Sequence, residues 1–341
     1  MANNSQEPIR HSVREPMRYS VSDRLLRMDR QILGLLIFIG TIFVAMSIVS
    51  DRFLTYTNLL NVLQQSAFVM IVALGMTFVL TTGGIDLSVG SIIGISGGTT
   101  AWMLHHDVNI VLAILSGLIV GGVIGITNGL VITKLKISPF IVTLAMMVIV
   151  RGILFVWTEA TPFRNYMKSN FGFLGQGRIL NVQFPVIVAV VLFVILLFLY
   201  RRMKFGRHIL ALGSSEESVR VSGLHVDKLR IKVYALSGVI AALAGILLAS
   251  RLTTVQPEMG KNYELEALVA VIIGGTSLAG GKGSLTGTVL GTLILFLIKN
   301  SLNLLNVDPF WETIVIGVII LVAVSVNFWG ELFRSKHVKS T

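Results

Sequence analysis

Ten apolar stretches, most of them close to the roughly 20 residues a helix needs to cross a bilayer, decide what this chain can fold into. They fall at about 32–50, 62–82, 87–104, 110–132, 138–157, 184–201, 232–250, 265–279, 284–303 and 311–328. Inside hydrocarbon every backbone N–H and C=O must be paired within the protein, so only helices and closed barrels span. These stretches lack the polar/apolar alternation of barrel strands. The expected fold is all-α: a polytopic helical membrane protein with about ten transmembrane helices. A hydrophobic share of 54%, with 13% charged residues and a mean hydropathy of +0.81, lies outside the range of soluble domains. Two places are open to a broken or re-entrant reading: the short stretch at 265–279 and the interruption at Gly83-Gly84.

A net charge of +11 raises the question of nucleic acid, and the positions of the basic residues answer it. Arg10, Arg14, Arg18, Arg24, Arg27 and Arg30 precede the first stretch, eight Lys/Arg lie between Arg201 and Lys232, and Arg334, Lys336 and Lys339 close the chain. With the N-terminus inside, only Arg52, Arg164, Lys168, Arg178, Arg251, Lys261 and Lys299 face outward, and Arg151 lies within a span. That asymmetry is the positive-inside pattern. It predicts a multi-pass membrane protein with both termini cytoplasmic, in contact with lipid and not with nucleic acid. The expected layout is a tail at 1–31, a transmembrane domain at 32–330 and a second tail at 331–341. An outer loop covers 158–183 and an inner loop 202–231. No cleavable signal peptide is read at the start. The absence of cysteine excludes disulfides, thiolate zinc and iron–sulfur chemistry.

Between two of these stretches the chain reads TTGGIDLSVGS, which places Asp86 among glycines near membrane depth. A carboxylate there is costly and commonly functional. Gly83 and Gly84 break the preceding helix, and Asp86 with Ser88 stands where the next begins, so structural capping is the preferred reading. A contact with solute or a gate is the alternative, and Gly83, Gly84, Asp86, Ser88 and Gly90 are its candidates. Glu266, at the outer end of the short eighth stretch, carries the same ambiguity, as do Thr276 and Ser277.

Glycines recur four apart as Gly90, Gly94 and Gly98, as Gly117, Gly121, Gly125 and Gly129, and as Gly283, Gly287 and Gly291. Each set would lie on one helix face and let a second backbone approach closely. Close helix packing is the plain reading, and a stripe lining a path is the sharper one.

The inner loop reads RRMKFGRHILALGSSEESVRVSGLHVDKLRIK. Ser214 and Glu217 form an S-x-x-E capping box. Glu216 and Glu217 put negative charge at a helix N-terminus, and Gly223 sits where a C′ glycine would stop the helix. A helix of about two turns is expected over 215–222, with Asp227 capping the next one, which enters the membrane through Lys228, Arg230 and Lys232. Such an element is either a docking part, with Arg220 and Ser222 on its surface, or a plain connector.

Two further patterns fail. GGTSLAGGKGS at 274–284 has Thr276 and Gly283 where a phosphate loop needs glycine and Ser/Thr. The G-x-S-x-G at 94–98 lies inside an apolar helix, without the context a nucleophile elbow requires. The chain is not expected to be an enzyme, and no metal or cofactor site is expected on it.

From about Asn58 onward the sequence resembles the permease subunits of ATP-binding-cassette importers of the ribose/galactose/xylose type. The resemblance rests on NVLQQSAFVMIVALGMTFVLTTGGIDLSVGS, SPFIVTLAMMVIVRG, FGRHILALG, VSGLHVDKLRIKVYALSG and YELEALVAVIIGGTSLAGGKGSLTGTVLG, in that order. It implies a type-II-like importer fold in the cytoplasmic (inner) membrane of a prokaryote, and a second permease chain, identical or a close paralogue. It also implies a cytoplasmic ATPase with two nucleotide-binding modules, which holds ATP and Mg, and an extracytoplasmic sugar-binding protein. The cargo implied is a ribose-like pentose, a hexose or a related polyol. In the inner loop the resemblance assigns coupling to the ATPase to Ser214, Glu216, Glu217, Arg220, Ser222, Gly223, Asp227 and Lys228. Family members commonly carry Gly-x-Asn-Glu-x-Ala where this chain has Gly213-Ser-Ser-Glu-Glu-Ser-Val219, so the docking surface is expected to differ in detail.

Overall fold

The computed structural model describes residues 21–164, 166, 169–308, 310–319, 321–322 and 325; for 21–30 and 169 it describes backbone only. Thirteen helices are present among the described residues: α1 (Val21–Val49), α2 (Tyr56–Thr81), α3 (Val89–His105), α4 (Ile110–Lys134), α5 (Pro139–Trp157), α6 (Ser169–Gln176), α7 (Phe184–Arg202), α8 (Lys204–Ser214), α9 (Glu216–Val221), α10 (Val226–Leu252), α11 (Tyr263–Ile273), α12 (Leu285–Leu304) and α13 (Phe310–Ile319). Strands β1 (Arg178–Ile179) and β2 (Val182–Gln183) form a small antiparallel hairpin between α6 and α7.

Seven helices, α1, α2, α4, α5, α7, α10 and α12, are long and apolar enough to cross a membrane. The stretch at 87–104 is the shorter α3, and that at 265–279 is corrected: helix ends at Ile273, because Gly275 takes φ +85° and turns the chain. The stretch at 232–250 is the interior of α10, which starts at Val226 inside the expected inner loop. The last stretch is described only in part; the expected first tail, 1–31, is described only from Val21, where it is already α1, and the second, 331–341, lies outside the described residues.

The long helices α2 and α10 form the centre, where residues such as Phe78, Leu80, Tyr234 and Ala241 are fully buried. Helices α1, α4, α5 and α7 surround them and turn Ile48, Val156, Ile119 and Phe198 outward. That apolar exterior is what lipid would cover. Close approach between α4 and α10 depends on glycine: a Cβ on Gly121 would come within 2.5 Å of the Ala242 methyl and the Gly238 carbonyl. Gly125 and Gly129 face the α10 backbone at Tyr234 and Ile231, and Gly117 packs against Ser96 and Thr100 of α3. Gly287 and Gly291 likewise sit on the carbonyls of Gly274 and Ala270. Gly283 is a correction: it precedes α12 in a loop, beside Thr81 and Tyr200, and shares no helix face with the other two.

One end of the bundle carries α8, α9 and the turn at 274–284, and is the basic end. The other carries α6 and the β hairpin. At this hairpin end Phe163 and Val255 exchange backbone hydrogen bonds, and Tyr166 donates to the Ala249 carbonyl (2.8 Å), which ties the 158–183 segment over the end of α10.

Candidate functional site

Two non-helical segments enter the bundle from opposite ends. The first, 82–88, leaves α2 through Thr82 and Gly83 (φ +77°). It reaches Asp86, which is fully buried. Ser237 of α10, which donates to Asp86 Oδ2 (2.9 Å), stands roughly 16 Å along its helix, at about 1.5 Å per residue. Asp86 is therefore near the middle of the bundle.

Both carboxylate oxygens are bonded within the protein. Asp86 Oδ1 accepts from the Ser88 backbone N–H (3.1 Å) and from the Ser88 hydroxyl (2.6 Å). Asn128 of α4 in turn donates to the Ser88 hydroxyl (2.8 Å). The capping expectation is refined here: Ser88 is the N-cap residue of α3, and Asp86 folds the turn just ahead of it. These bonds, reaching α4 and α10, hold the break in one geometry, while Asn128 Oδ1 has no hydrogen-bond partner among the described residues.

The second segment, 253–262, re-enters from the hairpin end between α10 and α11. Arg151 of α5 donates to the carbonyls of Pro257 and Met259 (2.9 and 2.8 Å), pairing backbone that no helix pairs. Gly90, Gly94 and Gly98 of α3 face this segment: a Cβ on Gly94 would meet the Met259 carbonyl at 2.9 Å, and one on Gly90 the Gly260 carbonyl at 2.6 Å. The two breaks meet at Gly90, where the Glu264 carboxylate fills the space a side chain would take. Glu264 is 8% exposed, and its Oε2 has no hydrogen-bond partner among the described residues.

At the basic end the capping expectation shifts by one residue. Ser215 is the N-cap of α9, accepting from Ser218 N–H (3.2 Å), whereas Ser214 ends α8 and donates to the Leu210 carbonyl. Asp227 is likewise not a cap: it lies in the first turn of α10, 3.8 Å from Lys134, and Lys228 follows in the same turn. Glu216, not Glu217, joins the elements, bonding Arg220 (2.7 Å) and Arg230 of α10 (2.7 Å). These bonds, to Arg230 first, hold its carboxyl below the ordinary glutamate range. Gly223 takes φ +79° after α9, as expected, and Ser222 ends the helix by bonding the Ser218 carbonyl.

Arg230, Tyr234 and Ser237 recur on one face of α10. Tyr234 donates to the Ile85 carbonyl (3.2 Å) and Ser237 to Asp86, so this face runs from Glu216 in α9 to the first break. The turn at 274–284 closes the other side, with Gly281 N–H bonding the Thr81 carbonyl (2.9 Å) and Gly213 of α8 packed against both. Thr276 and Ser277 accept backbone N–H groups within this turn, from Ser284 and Ala279. Glu266 lies away from the breaks, bonded to Lys299 (2.8 Å) toward the hairpin end.

Sequence reading missed Ser237, Asn128, Tyr234 and Glu264, which come from three separate helices. Only Arg151, a charge inside a span, carried a signal of its own.

Lipid-facing helices around two interior breaks define a multi-pass membrane protein with an interrupted core. The chain belongs to the family described as branched-chain amino acid transport system / permease component, which matches residues 58–324. It is 41% identical over 302 residues to the ribose import permease protein of Escherichia coli (strain K12), covering 88% of this chain and 93% of that protein. Against the ribose import permease protein of Bacillus subtilis (strain 168) it is 44% identical over 294 residues, or 86% and 90% of the two chains. The L-arabinose transport system permease protein of E. coli (strain K12) is 38% identical over 291 residues, 85% and 88% of the two. These matches bear out the resemblance to permeases of sugar importers. No solved structure gives a significant match.

Proposed function

We propose that this chain is the membrane-spanning subunit of an ATP-driven importer that carries a monosaccharide of the ribose or arabinose kind. A second permease chain, an ATPase with two nucleotide modules that binds ATP and Mg, and a soluble binding protein complete the assembly. The observation that carries this reading is the linkage of α9 to the first break by way of one face of α10, where Arg230 bonds Glu216, Tyr234 bonds the Ile85 carbonyl and Ser237 bonds Asp86. Alongside it, α8 packs onto Thr81 and Gly281 at the base of the same break. A partner that moved α9 would therefore move the segment interrupting the path.

In this reading the basic end is cytoplasmic and the hairpin end receives the binding protein. The coupling residues are Glu216, Glu217, Arg220, Ser222, Gly223, Asp227 and Lys228, with Ser215 in place of Ser214 as the cap. Gly83, Gly84, Asp86, Ser88, Gly90 and Glu264 form the interrupted path. Asp86 acts as a structural pin, because its oxygens are already occupied. Reconstitution in liposomes with the neighbouring ATPase and binding protein tests the whole proposal. Uptake of ribose or arabinose with sugar-stimulated ATP turnover is expected, and uptake that needs an ion gradient but no ATP would refute it.

A further inference from the structure

We propose that a polar cavity at the hairpin end, between α2, α12 and α13, is an outward-facing subsite for one uncharged monosaccharide; this rests on the reading above. The cavity measures about 170 Å³ and is lined by Val62, Gln65, Phe296, Lys299, Asn300, Asn303 and Glu312. It is smaller than the roughly 300–1,000 Å³ of drug-sized pockets, which suits a single small polyol and excludes an oligosaccharide.

The lining has the chemistry of hydroxyl recognition. Lys299 is held between Glu266 (2.8 Å) and Glu312 (2.9 Å), so its charge is already compensated by two carboxylates. Asn300 exchanges two amide hydrogen bonds with Asn58 (3.0 and 2.8 Å), which fixes that wall. The amides of Gln65 and Asn303 make no side-chain hydrogen bond among the described residues, and each can both donate and accept. Phe296 supplies an apolar wall, with the Lys299 ammonium 5.1 Å from its ring centre. The three formal charges sum to an excess of one negative charge. The cavity should therefore take a neutral sugar and reject its phosphate ester, since an unpaired second anion there would meet carboxylates.

The chain has no cysteine, so single-cysteine variants report one position each. Val62→Cys, at a lining residue that gives the sugar no hydrogen bond, in the full permease assembled with its ATPase, is labelled with a maleimide with and without millimolar D-ribose or L-arabinose. At least one of these sugars should slow labelling several-fold, and ribose 5-phosphate should not. Uptake is measured on the same variant in liposomes with the binding protein present. Uptake without protection would overturn the subsite while leaving the transport reading intact. Protection without uptake would support the subsite and refute the transport reading. Equal slowing by ribose phosphate, or low reactivity that sugar does not alter, would overturn the subsite too; the latter would mark the face as a contact between permease chains.

Discussion

Gly90 and Glu264 share one volume: the carboxylate of α11 occupies the place where any side chain on residue 90 of α3 would stand. The helices that follow the two breaks thus touch here. Their approach depends on a glycine on one side and a buried carboxyl group on the other.

Gly90→Ala should destabilise the protein by roughly 1–3 kcal/mol, the usual cost of an overpacked methyl. Adding Glu264→Ala should relieve part of that and no more, because the Gly260 carbonyl still stands 2.6 Å from the new Cβ. Thermal unfolding of the four purified proteins gives the coupling directly. Strict additivity would show that the two residues do not touch.

Asp86→Asn should keep both expression and sugar uptake, because the amide oxygen can keep both Ser88 bonds while its NH2 donates to Ser237, whose hydroxyl can turn to accept. Asp86→Leu should lose both, since each orphaned buried polar group costs about 1–3 kcal/mol. If the asparagine variant folds and transports nothing, the carboxylate is a working charge and not a pin.

Glu216 supplies a pH test. Its carboxyl titrates below the ordinary glutamate range because the ion pairs favour the charged form. Its stabilising contribution is therefore complete above about pH 4.3, the unperturbed value, and is lost as pH falls through the lowered native value. With a side chain 40% exposed the effect is small, within about 1 kcal/mol. A fluorophore on Ser222→Cys should report loosening of α9 on acidification, and Glu216→Gln should remove that step.

Gly223→Ala should cost about 1 kcal/mol, since φ is +79° but no atom lies within 4 Å of a new Cβ. Gly223→Pro is more severe: it cannot adopt that φ, and it deletes the N–H donated to the Arg220 carbonyl (3.1 Å). Sugar-stimulated ATP turnover should fall in the proline variant while the detergent-extracted fold persists, because no spanning helix is touched. Unchanged coupling would make this loop a connector.

Orientation can be read in whole cells, or in spheroplasts where an outer membrane is present. Leu180→Cys at the hairpin tip should react with a membrane-impermeant maleimide, and Ser222→Cys only after lysis. The reverse pattern would invert the proposed topology.

The spanning class, the helix break at Gly83 and the short helix closed by Gly223 were legible in the sequence because each depends on local properties. Apolar length, positive φ at glycine and capping chemistry need only near neighbours along the chain. The one-residue error at Ser214 was local too: Ser214 and Ser215 are adjacent candidates, and only the end of α8 selects between them. The partners of Asp86 were not legible. Ser88 is near in sequence, but Asn128 and Ser237 arrive on α4 and α10, and no pattern within either helix singles them out. Glycine spacing likewise announced close packing without naming a neighbour, and the Gly90 series proved to seat a re-entrant segment. Sequence alone determined that this chain is a bundle of membrane helices with a break carrying an acid. Tertiary structure decided what the acid holds and where the two breaks meet, because pairing between helices depends on burial and direction across the bundle, which spacing along one chain does not encode.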